Sequence, residues 1–272
     1  MVYFFHRPEV IINAYRLFLL FFASVIIHGA ADAQSLRGTD MRTALPESLL
    51  VNRRDWGVDF NLGGACLRGN SDMDYLDTSF SSFRKSENAT AYIKGSLLYS
   101  DFNGARNINQ GALTLRYDHD IGEAGDWRLF GFTTNAYNEF QLLDYRLVLG
   151  AGPWYDFTLG PTKHGASIAV THEVEDFANG AYDHSTRMSL RDFIALPLSP
   201  SSELTADLFW APRFDNFSNY RMFAEVALHS MIYKDLIGLK LSWNSEYYTS
   251  PQPGVDRTDT LWSTAVTLRL GK

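Results

Sequence analysis

The chain has 272 residues, with 24 Lys+Arg against 31 Asp+Glu, a net charge of −7, and 46% hydrophobic and 14% aromatic residues. That apolar content excludes intrinsic disorder, and the acidic balance excludes a nucleic-acid binder that works by neutralising phosphates. A single cysteine, Cys66, excludes a disulfide framework and any multi-cysteine metal site. A slightly negative mean hydropathy excludes several helical spans of about 20 apolar residues.

Residues 1–33 open with Arg7 and Arg16, continue through an apolar run from Leu17 to Ile27, and close on Gly29-Ala30-Ala31-Asp32-Ala33. A basic start, a short apolar core and a small-residue site describe a secretory signal peptide, cut between Ala33 and Gln34. Arg16 leaves the clean run too short for a membrane anchor. Residues 34–55 read as a short periplasmic lead, and 56–272 as a barrel domain. From residue 56 onward the hydrophobic period is two, with turn residues between the segments. Strands are predicted over about 56–68, 72–84, 89–100, 109–121, 126–136, 140–159, 164–175, 184–196, 202–212, 219–231, 235–248 and 260–270. The fourth alternates Leu113, Leu115, Tyr117 with Thr114, Arg116, Asp118. The eleventh alternates Leu239, Leu241, Trp243 with Lys240, Ser242, Asn244. Such segments exceed the usual globular strand of about 5–6 residues and suit a tilted membrane strand of about 9–11 residues plus its ends.

Alternation alone does not say which face points inward, because an apolar-in calyx and an apolar-out membrane barrel share the pattern. Three features favour the membrane barrel. The polar faces carry both charge signs repeatedly, including Asp59, Asp77, Lys94, Glu173, Arg191, Asp207 and Arg269. Within that set Arg116, Arg146, Arg221 and Lys240, facing Asp118, Asp144, Glu225 and Glu246, are the expected lumen charge network. Aromatic residues (Trp56, Trp127, Trp154, Tyr155, Phe157, Trp210, Tyr247, Tyr248) gather at strand ends, where two girdles would lie. Finally, one side has short turns (85–88, 122–125, 160–163, 197–201, 232–234), and the other has the longest loops, among them 101–108, 176–183, 213–218 and 249–259. The expected fold is an all-β, antiparallel, up-and-down transmembrane barrel of about twelve strands. Asp192 is the exception to its pattern, falling on the apolar face with Met188, Leu190 and Ile194.

Chemistry candidates are weak. Asp183-His184-Ser185 is the most enzyme-like cluster, but neighbours on a strand point to opposite faces, so His184 and Ser185 diverge. His119, His164, His172 and His229 are scattered and predict no metal site. Asp118 with Asp120, and Glu173 with Glu175, share faces and read as structural charge, with a cation site as the alternative. Cys66 lies in line with Leu62 and Gly64 as a small hydrophobe. Gly63-Gly64 and Gly150-Ala151-Gly152 relieve strand bending and close approach. No catalytic residue, metal or cofactor is expected.

The segment Gly57 to Phe83, a Gly-rich strand, a Gly-Asn-Ser turn and a hydroxyl-rich strand, resembles the opening of the salt-induced outer-membrane proteins, a bacterial family whose barrel has no assigned function. Leu129-Phe130-Gly131, Arg146 to Tyr155, and Leu239 to Glu246 followed by Asp256-Arg257-Thr258-Asp259 fit the same family. The resemblance implies an outer-membrane location and a barrel architecture, and it brings no catalytic motif. The expectation is therefore an exported structural or narrow-channel envelope protein linked to salt or envelope stress. Its partners would be outer-membrane lipid and the assembly machinery, not nucleic acid, and it would be monomeric. A lipid-processing enzyme on the barrel surface and a soluble periplasmic lipid-binding calyx are the alternatives.

Overall fold

The computed structural model describes residues 55–68, 72–122 and 126–271. The expected signal peptide and most of the periplasmic lead lie outside them. The described residues form twelve antiparallel strands in chain order, closed by β1 against β12 into a barrel. The strands are β1 (Trp56–Leu67), β2 (Met73–Lys85), β3 (Ala89–Phe102), β4 (Ala105–Ile121), β5 (Trp127–Asn138) and β6 (Leu143–Leu159). They continue as β7 (Thr162–Phe177), β8 (Tyr182–Ser199), β9 (Ser202–Pro212), β10 (Tyr220–Tyr233), β11 (Ile237–Tyr248) and β12 (Thr258–Gly271). Closure pairs every edge, which removes the exposed donors and acceptors that an open sheet presents.

All twelve predicted strands are present, and the main boundary differences come from turn chemistry. The expected loop 101–108 is a hairpin turned by Asn103-Gly104 alone. Both residues have positive φ, 52° and 77°, the geometry of a two-residue turn whose twist matches its strands. The expected turn near Tyr137-Asn138-Glu139 is a single 3-10 turn over Glu139–Gln141. Asn138 caps it by accepting from the Phe140 and Gln141 backbone N–H groups, and Leu142 at φ 55° ends it. One end of the barrel carries the start of β1, the end of β12 and the connections 86–88, 122–126, 160–161, 200–201 and 234–236; we call it the turn end. The opposite, loop end carries the longest connections, 213–219 and 249–257.

The direction of the faces is settled. Leu113, Leu115, Tyr117, Ile168, Val170, Leu239, Leu241, Val266 and Leu268 are exposed on the outer wall, whereas Arg116, Asp118, Arg146, Glu173, Glu175 and Glu246 are buried inside. The barrel is polar in and apolar out, the reverse of a calyx. Trp56, Trp127 and Trp262 are outside, with the Trp127 and Tyr155 rings tilted against each other, centroids 4.6 Å apart, at the turn end. At the loop end Trp210, Tyr220 and Tyr247 form an outer ladder with ring centroids 6.4 and 5.9 Å apart. Trp154 and Tyr248, expected in those girdles, are instead buried inside, because each shares the parity of the inward charges on its own strand. Asp192 keeps the expected register on the outer face, beside Leu208 of β9, with its Oδ1 4.0 Å from Nδ1 of His164. Cys66 is exposed, as is Leu62 on the same face.

Glycine sets the inner packing where strands crowd. A Cβ on Gly152 would lie 2.0 Å from the Ile168 carbonyl oxygen, and one on Gly150 would lie 2.3 Å from the Phe132 ring. The missing side chains let Phe130 and Phe132 turn inward and pack with Val148, Trp154, Ala169, Phe193 and Ala195. Beside the seam, Asn61 of β1 accepts from the Thr267 hydroxyl of β12 at 2.6 Å, and Arg269 binds Asp59 through contacts of 2.8, 2.9 and 3.1 Å.

Candidate functional site

Alternation places one inward side chain at every second position, so residues on paired strands meet in ladders inside the barrel. In the loop half these ladders form a lattice of buried charge. Arg146 on β6 donates through Nε to Oε1 of its cross-strand neighbour Glu175 on β7 at 2.5 Å, with a second contact from Nη2. Arg187 on β8 donates to Oε2 of Glu173 at 3.0 Å and also holds the carbonyls of Ala211 and Asn219. Arg221 reaches across from β10, which is not a neighbour of β7. Its Nη1 meets Glu173 at 2.8 Å, and its Nη2 meets both Glu175 oxygens at 2.7 and 2.8 Å. Gln141 donates to Asp259 at 3.4 Å, and the Tyr248 hydroxyl donates to Glu246 at 3.2 Å. A cavity of about 70 Å³ remains among Arg146, Arg187, Arg221 and the loop residues Ser250 and Gln252.

A septum of aromatic rings and guanidinium groups lies deeper. Trp154 is fully buried with the charges of Arg116, Arg128 and Arg191 at 5.2, 5.3 and 5.5 Å from its ring, within cation–π range. Each arginine is also neutralised. Arg116 chelates Asp118 at 2.5 and 2.8 Å, Arg128 binds Asp156 at 2.6 Å and Asp118 at 3.2 Å, and Arg191 chelates Asp207 at 2.6 and 2.7 Å. The indole N–H of Trp154 donates to the other Asp156 oxygen at 2.8 Å. Toward the turn end Lys240 binds Glu225 at 2.6 Å, and a cavity of about 680 Å³ lies beside Lys85, Tyr92, Arg128, Asp156, Lys163 and Phe193.

Of the expected network, Arg116 pairs with Asp118 and Lys240 with Glu225. Arg146 and Arg221 are inside but pair with Glu175 and Glu173, and Glu246 holds the Tyr248 hydroxyl. Asp144 is a correction. The pairing of β6 with β7 shifts between Leu143 and Tyr145, so Leu143 is buried while Asp144 is exposed, away from the lattice. Arg128, Asp156 and Arg187 were overlooked, although each lies two residues from an inward neighbour. Ser185 and His184 do diverge: Ser185 is buried and approaches Glu173, and His184 lies outside with its ring tilted against Tyr182. At the loop rim Glu139 accepts from Asn109 at 2.8 Å and Arg106 at 2.7 Å. The Asn109 hydrogen bond, aided by Arg106, holds its carboxyl below the ordinary carboxylate range.

Fold and interior together define a closed twelve-stranded barrel with an apolar outer wall and an ion-paired lumen. The chain belongs to the family described as protein of unknown function, DUF481, whose model matches residues 60–269. No curated protein matches it. Among solved structures it is similar to the NanC porin, at 9% identity and a TM-score of 0.46 over 79% of this chain and 98% of that one. It is also similar to the translocator domain of the autotransporter NalP from Neisseria meningitidis, at 12% identity and a TM-score of 0.42 over 80% and 87%. A third likeness is to the outer membrane channel DcaP of Acinetobacter baumannii, at 8% identity and a TM-score of 0.36 over 80% and 95%.

Proposed function

We propose that the protein is a bacterial outer-membrane barrel of structural or narrow-channel type, its turn end toward the periplasm and its lumen held shut in the loop half. The inversion of polarity carries this reading. Leu115 and Ile168 are exposed at 47% and 56% while Asp118 and Glu173 are fully buried, an arrangement stable only where the outer wall meets hydrocarbon. A calyx needs the opposite faces, and a surface lipid enzyme needs Ser185 and His184 on one patch. The placement of longer loops on one end and turns with both strand termini on the other supports the orientation. The lattice around Arg221 supports a lumen that passes little or no current at rest. The resemblance to the salt-induced proteins adds a link to salt or envelope stress. Fractionation of expressing cells is the test: recovery in the outer membrane is expected, and recovery as a detergent-free soluble periplasmic protein overturns the reading.

A further inference from the structure

We propose that the cavity at the turn end binds short peptides whose two termini are free and charged. Its volume of about 680 Å³ falls within the range of about 300–1,000 Å³ typical of ligand sites. Its wall includes four aromatic rings, Tyr155 and Phe157 on β6 together with two that are buried inside the barrel, Tyr92 on β3 and Phe193 on β8. Around these rings stand cations from opposite flanks, Lys85 on β2 and Lys163 on β7, with the carboxylates of Asp120 on β4 and Asp156 on β6 between them. In the septum every carboxylate is tied to an arginine. Here, among the described residues, the side chains of Asp120 and Lys163 are in no hydrogen bond or close ion pair, and the charge of Asp120 acts on Lys85.

That combination matches a zwitterion with an apolar body: an ammonium for the carboxylates, a carboxylate for the lysines, and a side chain to stack on Tyr92 and Phe193. A single amino acid leaves most of this volume empty, and a peptide of about three residues, about 10 Å when extended, occupies more of it. The septum lies on the inner side of the cavity, so a ligand arriving from the turn end meets the cavity first. Asp156 connects the cavity to a reporter, because it holds both Arg128 and the Trp154 indole. An ammonium drawn to Asp156 therefore changes the polarity around that ring.

The inference rests on the proposed orientation only for where the ligand comes from. Binding is measured on the purified full barrel in detergent, so a failed localisation and a failed site are separate results. The probes are the tripeptide Ala-Phe-Ala with free termini, its N-acetylated form, its C-amidated form and the doubly capped form, followed by equilibrium dialysis. The free peptide is expected to bind saturably, and double capping to weaken it at least tenfold. Asp120→Asn should weaken only peptides with a free amine, and Lys163→Ala only those with a free carboxylate. Binding should shift tryptophan emission in the parent protein and not in Trp154→Phe. Equal binding of free and doubly capped peptide, which needs no variant, overturns the proposal. No saturation below about 10 mM does the same.

Discussion

Arg221 ties β10 to two buried carboxylates of β7, and Arg221→Met tests that bridge while keeping most of the apolar stem. The guanidinium serves two carboxylates, Glu173 and Glu175, whose side chains are 0% and 2% exposed. A hydrogen bond to a charged group contributes about 1.5–3 kcal/mol, so loss of all three contacts sets an upper figure of about 5–9 kcal/mol. Two features reduce it. Glu173 keeps Arg187 and Glu175 keeps Arg146, so neither carboxylate is orphaned. The adjoining cavity of about 70 Å³ also admits water to the freed oxygens. The expected loss is therefore about 2–4 kcal/mol, below the cost of stranding a buried ion outright. The assay is urea unfolding of the barrel reconstituted in vesicles, paired with single-channel recording in planar bilayers. Stability should fall by that amount and conductance should rise, because the strut between β7 and β10 is gone. Stability within about 1 kcal/mol of the parent, with unchanged conductance, refutes the role given to Arg221.

Leu115→Arg places a charge on the outer wall and should cost about 2–4 kcal/mol in a bilayer, read as a reduced folded fraction in vesicles; an unaffected yield contradicts a lipid-facing wall. Gly152→Ala drives a Cβ against the backbone of β7 and should destabilise by about 1–3 kcal/mol, read as a lower urea midpoint. Glu139 titrates below the ordinary carboxylate value of 4.5. Its contribution is thus complete above that value and is lost as pH falls through the lowered folded value. A carboxyl titration followed by NMR should show an apparent pKa under 4.5 that rises in Arg106→Ala; a value at or above 4.5 in the parent overturns it.

Strand existence was legible because a dyad repeat sustained over a dozen residues has no helical counterpart, as Leu113 to Asp118 illustrates. The inward face was not legible from alternation, which is symmetric under exchange of inside and outside; interleaved charge, aromatic strand ends and loop lengths pointed to it, and burial in the closed barrel fixes it. The 103–104 turn was legible in principle, since Asn-Gly between alternating segments signals a two-residue hairpin, but the polar residues around it disguised strand ends as loop. Asp144 was misplaced because a one-residue shift in pairing reverses parity, and nothing local in Leu143-Asp144-Tyr145 announces it. Trp154 reads as a girdle residue because the composition of a strand end carries no inside or outside. The long-range partners of Arg221 lie 46 and 48 residues away and need the closed barrel to meet.

The bonds between Asp59 and Arg269, and between Asn61 and Thr267, join residues more than two hundred positions apart. The two strands they join, β1 and β12, stand first and last in the strand order of the described residues. Truncation before Thr267 removes the partners of Asp59 and of the Asn61 carboxamide oxygen, leaving Asn61 its bond to Ser79 and the first strand an open edge. The seam therefore works as a latch: the sheet loses its last free edge only when β1 and β12 have met, and an unlatched β1 offers an unpaired strand to any other edge it encounters.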